Sequence, residues 1–491
     1  MRRRSYAETA ACWARIRKAH QAQIRAAEAE LSAAVCAYDK PWVVLDDDPT
    51  GIQTVHDLPV YTDSARDTLS GAFRRRERLF YLLTNSRAMS AAETESLHCA
   101  IAVNCLEAAG ATQQFPEIPF GLISRGDSTL RGHYPLETDT LASSLSERTG
   151  IEMDGLILAP FFEAGGRFTI DDVHYVRFGD DLIPAGETEY ARDETFGYTH
   201  SDLPGYILEK TGGRWRAEEI LSVPLDMLCR GDVAAVEALL CHACHGQPVI
   251  VNALSQSDLR VFCAGLYRAL AAGHRFLYRT AADFVKAVGD IPDRPLLTRA
   301  ELLTGANDGG GLILVGSHTD RTTAQLEALR GMDGLLFLPF TAGRVLEGSG
   351  ALHEETLHVR RQVEEGLQKG QTPVVYTERQ VLHISGESKE AALSRSVAIS
   401  EALCAVAQDL ECPPAWIIGK GGITSSDLGV RTLQVRRAWV LGQILPGIPV
   451  WQTDETSRYP GIPYIIFPGN VGERDTLRRI VSLLKEKKNA D

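Results

Sequence analysis

No stretch of this 491-residue chain comes near the roughly 18 consecutive apolar residues of a membrane span, so a transmembrane role is not expected. Basic charge is also in short supply. Against 64 Asp and Glu stand 51 Lys and Arg, a net charge of −13, which argues against a broad nucleic-acid footprint. Any phosphate must therefore be met by a local site. The N-terminal segment lacks the apolar core and small-residue cleavage site of a secretory signal. Together with 10 cysteines spread over a long chain, this points to reduced, mostly buried thiols in a cytoplasm. There is no fixed-period repeat, heptad run or low-complexity tract, which leaves arrays and coiled coils without support.

What the chain does have is apolar residues, 44% of the total, enough for the two or three cores that its length suggests. From residue 42 short Val/Ile/Leu-rich runs alternate with helical periods, the mark of a parallel sheet covered on both faces. Strands are expected at 42–45, 79–83, 120–124, 155–159 and 248–254, with helices at 90–109, 135–148 and 233–242. A Pro-, Gly- and charge-rich stretch at 291–311 punctuates rather than packs. The alternation then restarts with strands at 312–315, 335–339, 373–377 and 415–419, and ends in a helix at 473–485. The expected fold is α/β. It comprises an N-terminal helical extension (1–40), a first α/β domain (41–295) and a second (305–491), with mainly parallel sheets and an active site in the interdomain cleft. In the extension, Trp13, Ile16, Ile24, Leu31 and Val35 fall close to one helical face and should bury either on the chain itself or on a subunit partner in a homodimer.

Ligands of open α/β sheets gather in the loops after strands, where strand ends and helix N-termini converge. The first such loop is Asp46-Asp47-Asp48-Pro49-Thr50-Gly51. A simple turn needs one carboxylate, so three suggest a ligand, a cation or proton transfer. The next, from Arg125 through Gly126, Asp127, Ser128 and Thr129 to Arg131, offers two guanidinium groups and two hydroxyls as a carboxylate or phosphate cradle. A third loop, at 159–169, contributes Arg167. In the second half, Gly316-Ser317-His318-Thr319, Gly421-Gly422-Ile423-Thr424 and Phe467-Pro468-Gly469-Asn470 are small-residue and hydroxyl turns of the kind that expose backbone N–H groups to phosphate. None is a P-loop: after Lys420 comes Gly421 where Ser or Thr should stand. Cys241-His242-Ala243-Cys244-His245 matches a haem-attachment pattern, but without an export signal core cysteines and helix-terminal histidines are the better reading.

With these motifs in this order, the chain resembles the four-carbon acid sugar kinase family over about 41–484. The resemblance implies a sugar-acid-binding N-terminal domain, an ATP-binding C-terminal domain and phosphoryl transfer to a terminal hydroxyl of threonate, erythronate, 3-oxo-tetronate or a related acid. It places the nucleotide contacts on Ser317 or Thr319, on Gly421, Gly422, Ile423 and Thr424, and on Gly469 with Asn470 beside it. Phosphoryl transfer needs an aligned hydroxyl and charge neutralisation, including Mg²⁺ on the phosphates. Arg125 and Arg131 would hold the acid's carboxylate, with Asp46, Asp127, Ser128 and Arg167 lining the same site. Asp47 or Asp48 would accept the hydroxyl proton, leaving the other for the metal. Two rivals, a non-catalytic sugar-acid sensor and a metal-dependent dehydratase or aldolase, leave the three phosphate-type turns without a purpose.

Overall fold

The computed structural model describes residues 3–110, 118–304, 309–378, 389–469 and 471–486, the side chains of 389–393, 422 and 423 excepted. The chain divides into two compact units, Met1–Val55 with Asp63–Asp293, and His56–Thr62 with Arg294–Asp491.

In the first unit a parallel sheet runs in the order Leu221–Val223, Gln247–Val251, Gly155–Ala159, Phe276–Thr280, Gly121–Arg125, Trp42–Asp46, Leu79–Leu83. The central strands Trp42–Asp46 and Leu79–Leu83 are buried along their whole length, which is why they read as unbroken apolar runs. Their register sets Asp46 opposite both Arg125 and Leu83, so the loops after three adjacent strands open side by side.

Beside this sheet lies an antiparallel one that the loop reading of 159–169 did not anticipate: Arg167–Ile170, Val173–Phe178, Asp181–Pro184 and, from the N-terminus, Arg4–Ser5. Its first hairpin turns on Asp171 (φ 51°) and Asp172 (φ 60°), two positive-φ residues as in a type I′ turn. Aspartate tolerates that region because its side chain can bond locally.

The extension is two helices, Tyr6–Ala19 and Gln21–Ala37, broken at His20. Of the anticipated stripe only Ile24 and Leu31 are buried, joined by Ala27, while Trp13, Ile16 and Val35 are half-buried. The second helix packs on helix Gln256–Ala271 of the same chain. It comes so close to Gly231 that a Cβ there would lie 2.8 Å from the backbone of Gln23 and Ile24.

In the second unit the strand order is Leu58–Tyr61, Arg437–Leu445, Ile448–Thr453, Pro463–Phe467, Ile417–Lys420, Leu312–Val315, Thr372–Thr377, Leu335–Phe340. The first four strands pair antiparallel, in three pairings, and the four pairings that follow are parallel. Val315, Lys420 and Phe467 are register partners across adjacent strands, which brings the turns that follow them together. Trp416, Ile313, Ile465 and Ile480 belong to the core beneath.

Among the described residues no helix is long and apolar enough to cross a membrane. All ten cysteines are free, but only Cys105, Cys229, Cys263 and Cys404 are buried.

Candidate functional site

At the strand ends of the first unit, Asp46 and Arg125 face each other across the sheet, with Arg125 Nη1 donating to Asp46 Oδ1 at 2.9 Å. Gly51 lies directly over this pair, and any Cβ there would run into both side chains. Burial pushes the Asp46 carboxyl up to about 7 although Arg125 opposes it; Asp47 and Asp48 add repulsion. Asp46 Oδ2 and Arg125 Nε are buried without hydrogen-bond partners among the described residues. Arg125 is only 4% exposed, so the guanidinium expected to meet a ligand is already committed to carboxylates.

Arg87, which the sequence reading did not single out, follows the neighbouring strand Leu79–Leu83. Its Nε and Nη2 reach the two oxygens of Asp47 at 3.0 and 2.6 Å, and its Nη1 lies 3.4 Å from Asp48 Oδ2. Asp48 Oδ1 accepts from the Thr50 N–H at 2.8 Å and from its hydroxyl. Burial alone would raise the Asp48 carboxyl, but Arg87 and Thr50 outweigh it and hold the group below its ordinary value.

The loop from Arg125 to Arg131 is pinned through three successive carbonyls. His174 Nε2 bonds the Ser128 carbonyl at 2.8 Å, the Tyr198 hydroxyl donates to that of Thr129 at 2.7 Å, and the Tyr206 hydroxyl to that of Leu130 at 2.8 Å. This fixes Leu130 at φ 68° and holds Ser128 and Thr129 buried. Arg279, also missed because strand Phe276–Thr280 was not foreseen, donates to the Arg131 carbonyl at 2.8 Å and fills the space beside Gly126. Arg131 pairs with Asp127 at 2.8 Å and with Asp193 at 3.5 Å. Despite burial, Arg87 and Arg131 hold the Asp127 carboxyl well below the usual range. The guanidinium groups of Arg131 and Arg167 both approach the ring of Tyr190, at 5.3 and 5.5 Å from its centre. Arg167 Nε is buried without a hydrogen-bond partner among the described residues. Thus Asp46, Asp47, Asp48, Arg125, Asp127 and Arg131 are brought together by one network, and Arg167 joins its Arg131 side through Tyr190.

In the second unit, Thr319 caps helix Asp320–Leu329, its Oγ1 accepting from the Thr322 N–H at 3.2 Å. That hydroxyl reaches the Gly469 carbonyl at 3.1 Å, and Thr322 Oγ1 reaches both Ser317 Oγ at 2.9 Å and the same carbonyl at 3.2 Å. Gly421 holds φ 127°, where its Cβ would sit 3.2 Å from the Ser317 nitrogen, and a Cβ on Gly469 would lie 2.9 Å from Ser317 Oγ. Thr424 is buried against Gly316. Ser317, Thr319, Gly421, Thr424 and Gly469 therefore converge, and Gly422 and Ile423 open the short helix beside them. Asn470 and the side chains at 422 and 423 lie outside the described residues. Lys420, weighed in the sequence only as a failed P-loop lysine, is buried among these turns.

Among the described residues no group of three or more His, Cys, Asp or Glu could hold a metal ion. The three carboxylates at 46–48 are engaged by Arg125, Arg87 and Thr50, so they offer a divalent cation no ready-made ligand set.

One α/β unit thus carries a cluster of buried and half-buried carboxylates and guanidinium groups, and the other three hydroxyl- and glycine-lined turns. Residues 42–288 match a family model described as a sugar-binding N-terminal domain, and residues 312–477 one described as a nucleotide-binding C-terminal domain. The chain belongs to the four-carbon acid sugar kinase family. Its fold is similar to that of a Salmonella typhimurium LT2 protein named only provisionally, as a tRNA synthase (TM-score 0.65, 17% identity, 89% of this chain and 98% of that one covered). It is also similar to a Haemophilus influenzae protein of a domain-of-unknown-function family (TM-score 0.60, 16% identity, coverage 90% and 100%). No curated protein matches the chain.

Proposed function

We propose that this protein is an ATP-dependent kinase that phosphorylates the terminal hydroxyl of a four-carbon or closely related sugar acid such as threonate, erythronate or 3-oxo-tetronate. The observation that carries the reading is the convergence of three turns on Ser317, Thr322 and Gly469, in a domain of nucleotide-binding type, with glycines where a Cβ would fill the cradle. ATP phosphates lie against Ser317, Thr319, Gly421, Gly422, Ile423, Thr424 and Gly469. The acid belongs to the first unit, where Arg131, 26% exposed in its side chain, and Arg167 are better placed to receive a carboxylate than sunken Arg125. Asp46, Asp127 and Ser128 shape the floor of that site.

In the transfer, the substrate hydroxyl oxygen bonds to the γ-phosphorus, the bond to the ADP oxygen breaks, and the hydroxyl proton moves to a carboxylate. Asp48 suits that last task better than Asp47, because its Oδ2 has only the 3.4 Å contact with Arg87 and its side chain is 24% exposed. The remaining work is positioning and charge neutralisation.

An ADP-release assay with a panel of four- and five-carbon sugar acids tests the proposal, alongside thermal shift with an ATP analogue, which a nucleotide binder must answer by mass action. A protein that shifts with a sugar acid but not with the analogue, and releases no ADP, would be a sensor instead.

A further inference from the structure

Lys420 ends the strand Ile417–Lys420 with 0% of its surface exposed, and it touches all three phosphate-type turns. Its Nζ donates to the Pro468 carbonyl at 2.7 Å, lies 3.5 Å from that of Gly469, and sits 3.6 Å from the centre of the Phe467 ring. Its own carbonyl accepts from the N–H groups of Gly316 at 3.1 Å and Ser317 at 3.3 Å. The Gly469 carbonyl it approaches is the one that Thr319 and Thr322 also reach.

Burying an ammonium on one good hydrogen bond, one long one and a ring face is costly. A methionine would fill similar space without that cost, so the charge calls for a purpose that packing does not supply. Geometry suggests one. In a trans peptide the N–H points opposite to the C=O, so holding the Pro468 carbonyl toward Lys420 turns the Gly469 N–H the other way. With the Gly469 carbonyl tied to Thr319 and Thr322, the turn has its peptide planes set before any ligand arrives.

We propose that Lys420 is the positioning residue of the nucleotide's phosphate cradle: its Nζ locks the Pro468-Gly469 turn against the other two and sets a protonatable group beneath the phosphates. The role rests on the nucleotide reading given under the proposed function. It differs from that of a P-loop lysine, since the ammonium is spent on backbone carbonyls. Burial first, and Arg321 second, bring the Lys420 ammonium down to about 7, so its charge is held at a cost that an incoming polyanion relieves.

Calorimetric titration of ATP and of adenosine into the full chain tests this, with Lys420→Met and Lys420→Gln compared to wild type. Lys420→Met should weaken ATP about tenfold or more and leave adenosine within about twofold, because only the phosphates sense the cradle. Lys420→Gln, which keeps a donor for Pro468 and lacks the charge, should fall between. Wild-type affinity for ATP in Lys420→Met, or equal losses for both ligands, overturns the role. So does failure of both variants to fold, which would make Lys420 a structural residue. Wild-type protein that binds no ATP overturns the nucleotide reading itself, and the Lys420 role with it.

Discussion

Arg87 clasps Asp47 with a two-pronged hydrogen bond, Nη2 to Oδ1 at 2.6 Å and Nε to Oδ2 at 3.0 Å. Both carboxylate oxygens of Asp47 are thereby occupied, whereas Asp48 touches the same arginine through a single 3.4 Å contact. If Asp48 takes the hydroxyl proton, Asp48→Asn should lower kcat on the order of 10² while KM for the acid changes little. Asp47→Asn should act chiefly on stability, seen in the urea midpoint, because Asp47 is itself buried and the change leaves half-buried Arg87 short of a partner. A large kcat loss confined to Asp47→Asn would reverse the two assignments.

The two sets of ligand contacts should separate by mutation. Gly421 holds φ 127°, so Gly421→Ala strains the backbone and sets a methyl 3.2 Å from the Ser317 nitrogen. Its KM for ATP should rise on the order of tenfold with KM for the acid nearly constant. Arg131→Ala should do the converse. Steady-state kinetics with each substrate varied in turn decides it, and a shared loss on one substrate would contradict the division.

Most of the parallel strands were legible because they are buried on both faces: Leu79–Leu83 reads as one apolar run, whereas Phe276–Thr280, equally buried, ends in Arg279 and Thr280 and was not foreseen. Strand-end loops then located most of the candidate residues. Partnership was less visible, since nothing local in Arg125 or Arg131 tells which one sinks onto Asp46 and which keeps a free edge. Arg87 and Arg279 reach the same network from neighbouring strands and could be found only through strand order. The hairpin at Arg167–Phe178 was hidden by its Asp171-Asp172 turn, which lacks the glycine of the usual hairpin signal. Likewise Leu58–Tyr61 pairs with Arg437–Leu445, in the far part of the sequence, and no spacing could announce that.

His174 supplies a pH prediction. Fully buried, it accepts from the Thr169 hydroxyl at Nδ1 and bonds the Ser128 carbonyl through Nε2, an arrangement of the neutral ring. Burial pushes it down to about 4 from an ordinary 6.5, although the Ser128 bond opposes this. Between those values the unfolded chain binds the proton and the native one does not, so stability is full above about 6.5 and is lost as pH falls toward about 4. Lowering the pH to about 5 should cost wild type about 2 kcal/mol that His174→Gln does not lose. Urea unfolding of both proteins at neutral and acid pH measures it, and identical pH slopes would remove His174 as the cause.

The N-terminal extension should matter for stability rather than for nucleotide binding. Arg17 bonds Asp258 through Nε at 2.8 Å and Nη2 at 2.6 Å, and Asp258, only 1% exposed, also accepts from the Leu254 and Ser255 N–H groups at 2.9 Å where helix Gln256–Ala271 begins. Tyr6 stacks on Phe168 at 5.3 Å with the Arg177 guanidinium 3.8 Å from its ring, and Arg4–Ser5 completes the antiparallel sheet. Deleting residues 1–38 would strip the cation from a buried carboxylate, uncover the footprint of Ile24, Ala27 and Leu31, and unpair an edge strand. Each loss is of order 1–3 kcal/mol, so the melting temperature should fall by about 8 °C or more. Arg17→Ala alone should reproduce part of that fall, and Arg17→Ala combined with Asp258→Asn less of it, because the second change removes the stranded charge. KM for ATP should stay within about threefold throughout, as the proposed phosphate contacts all lie beyond residue 311. A truncated protein that melts like the full chain would show that these contacts contribute nothing; one that melts lower and also loses ATP would show that the extension reaches the nucleotide after all.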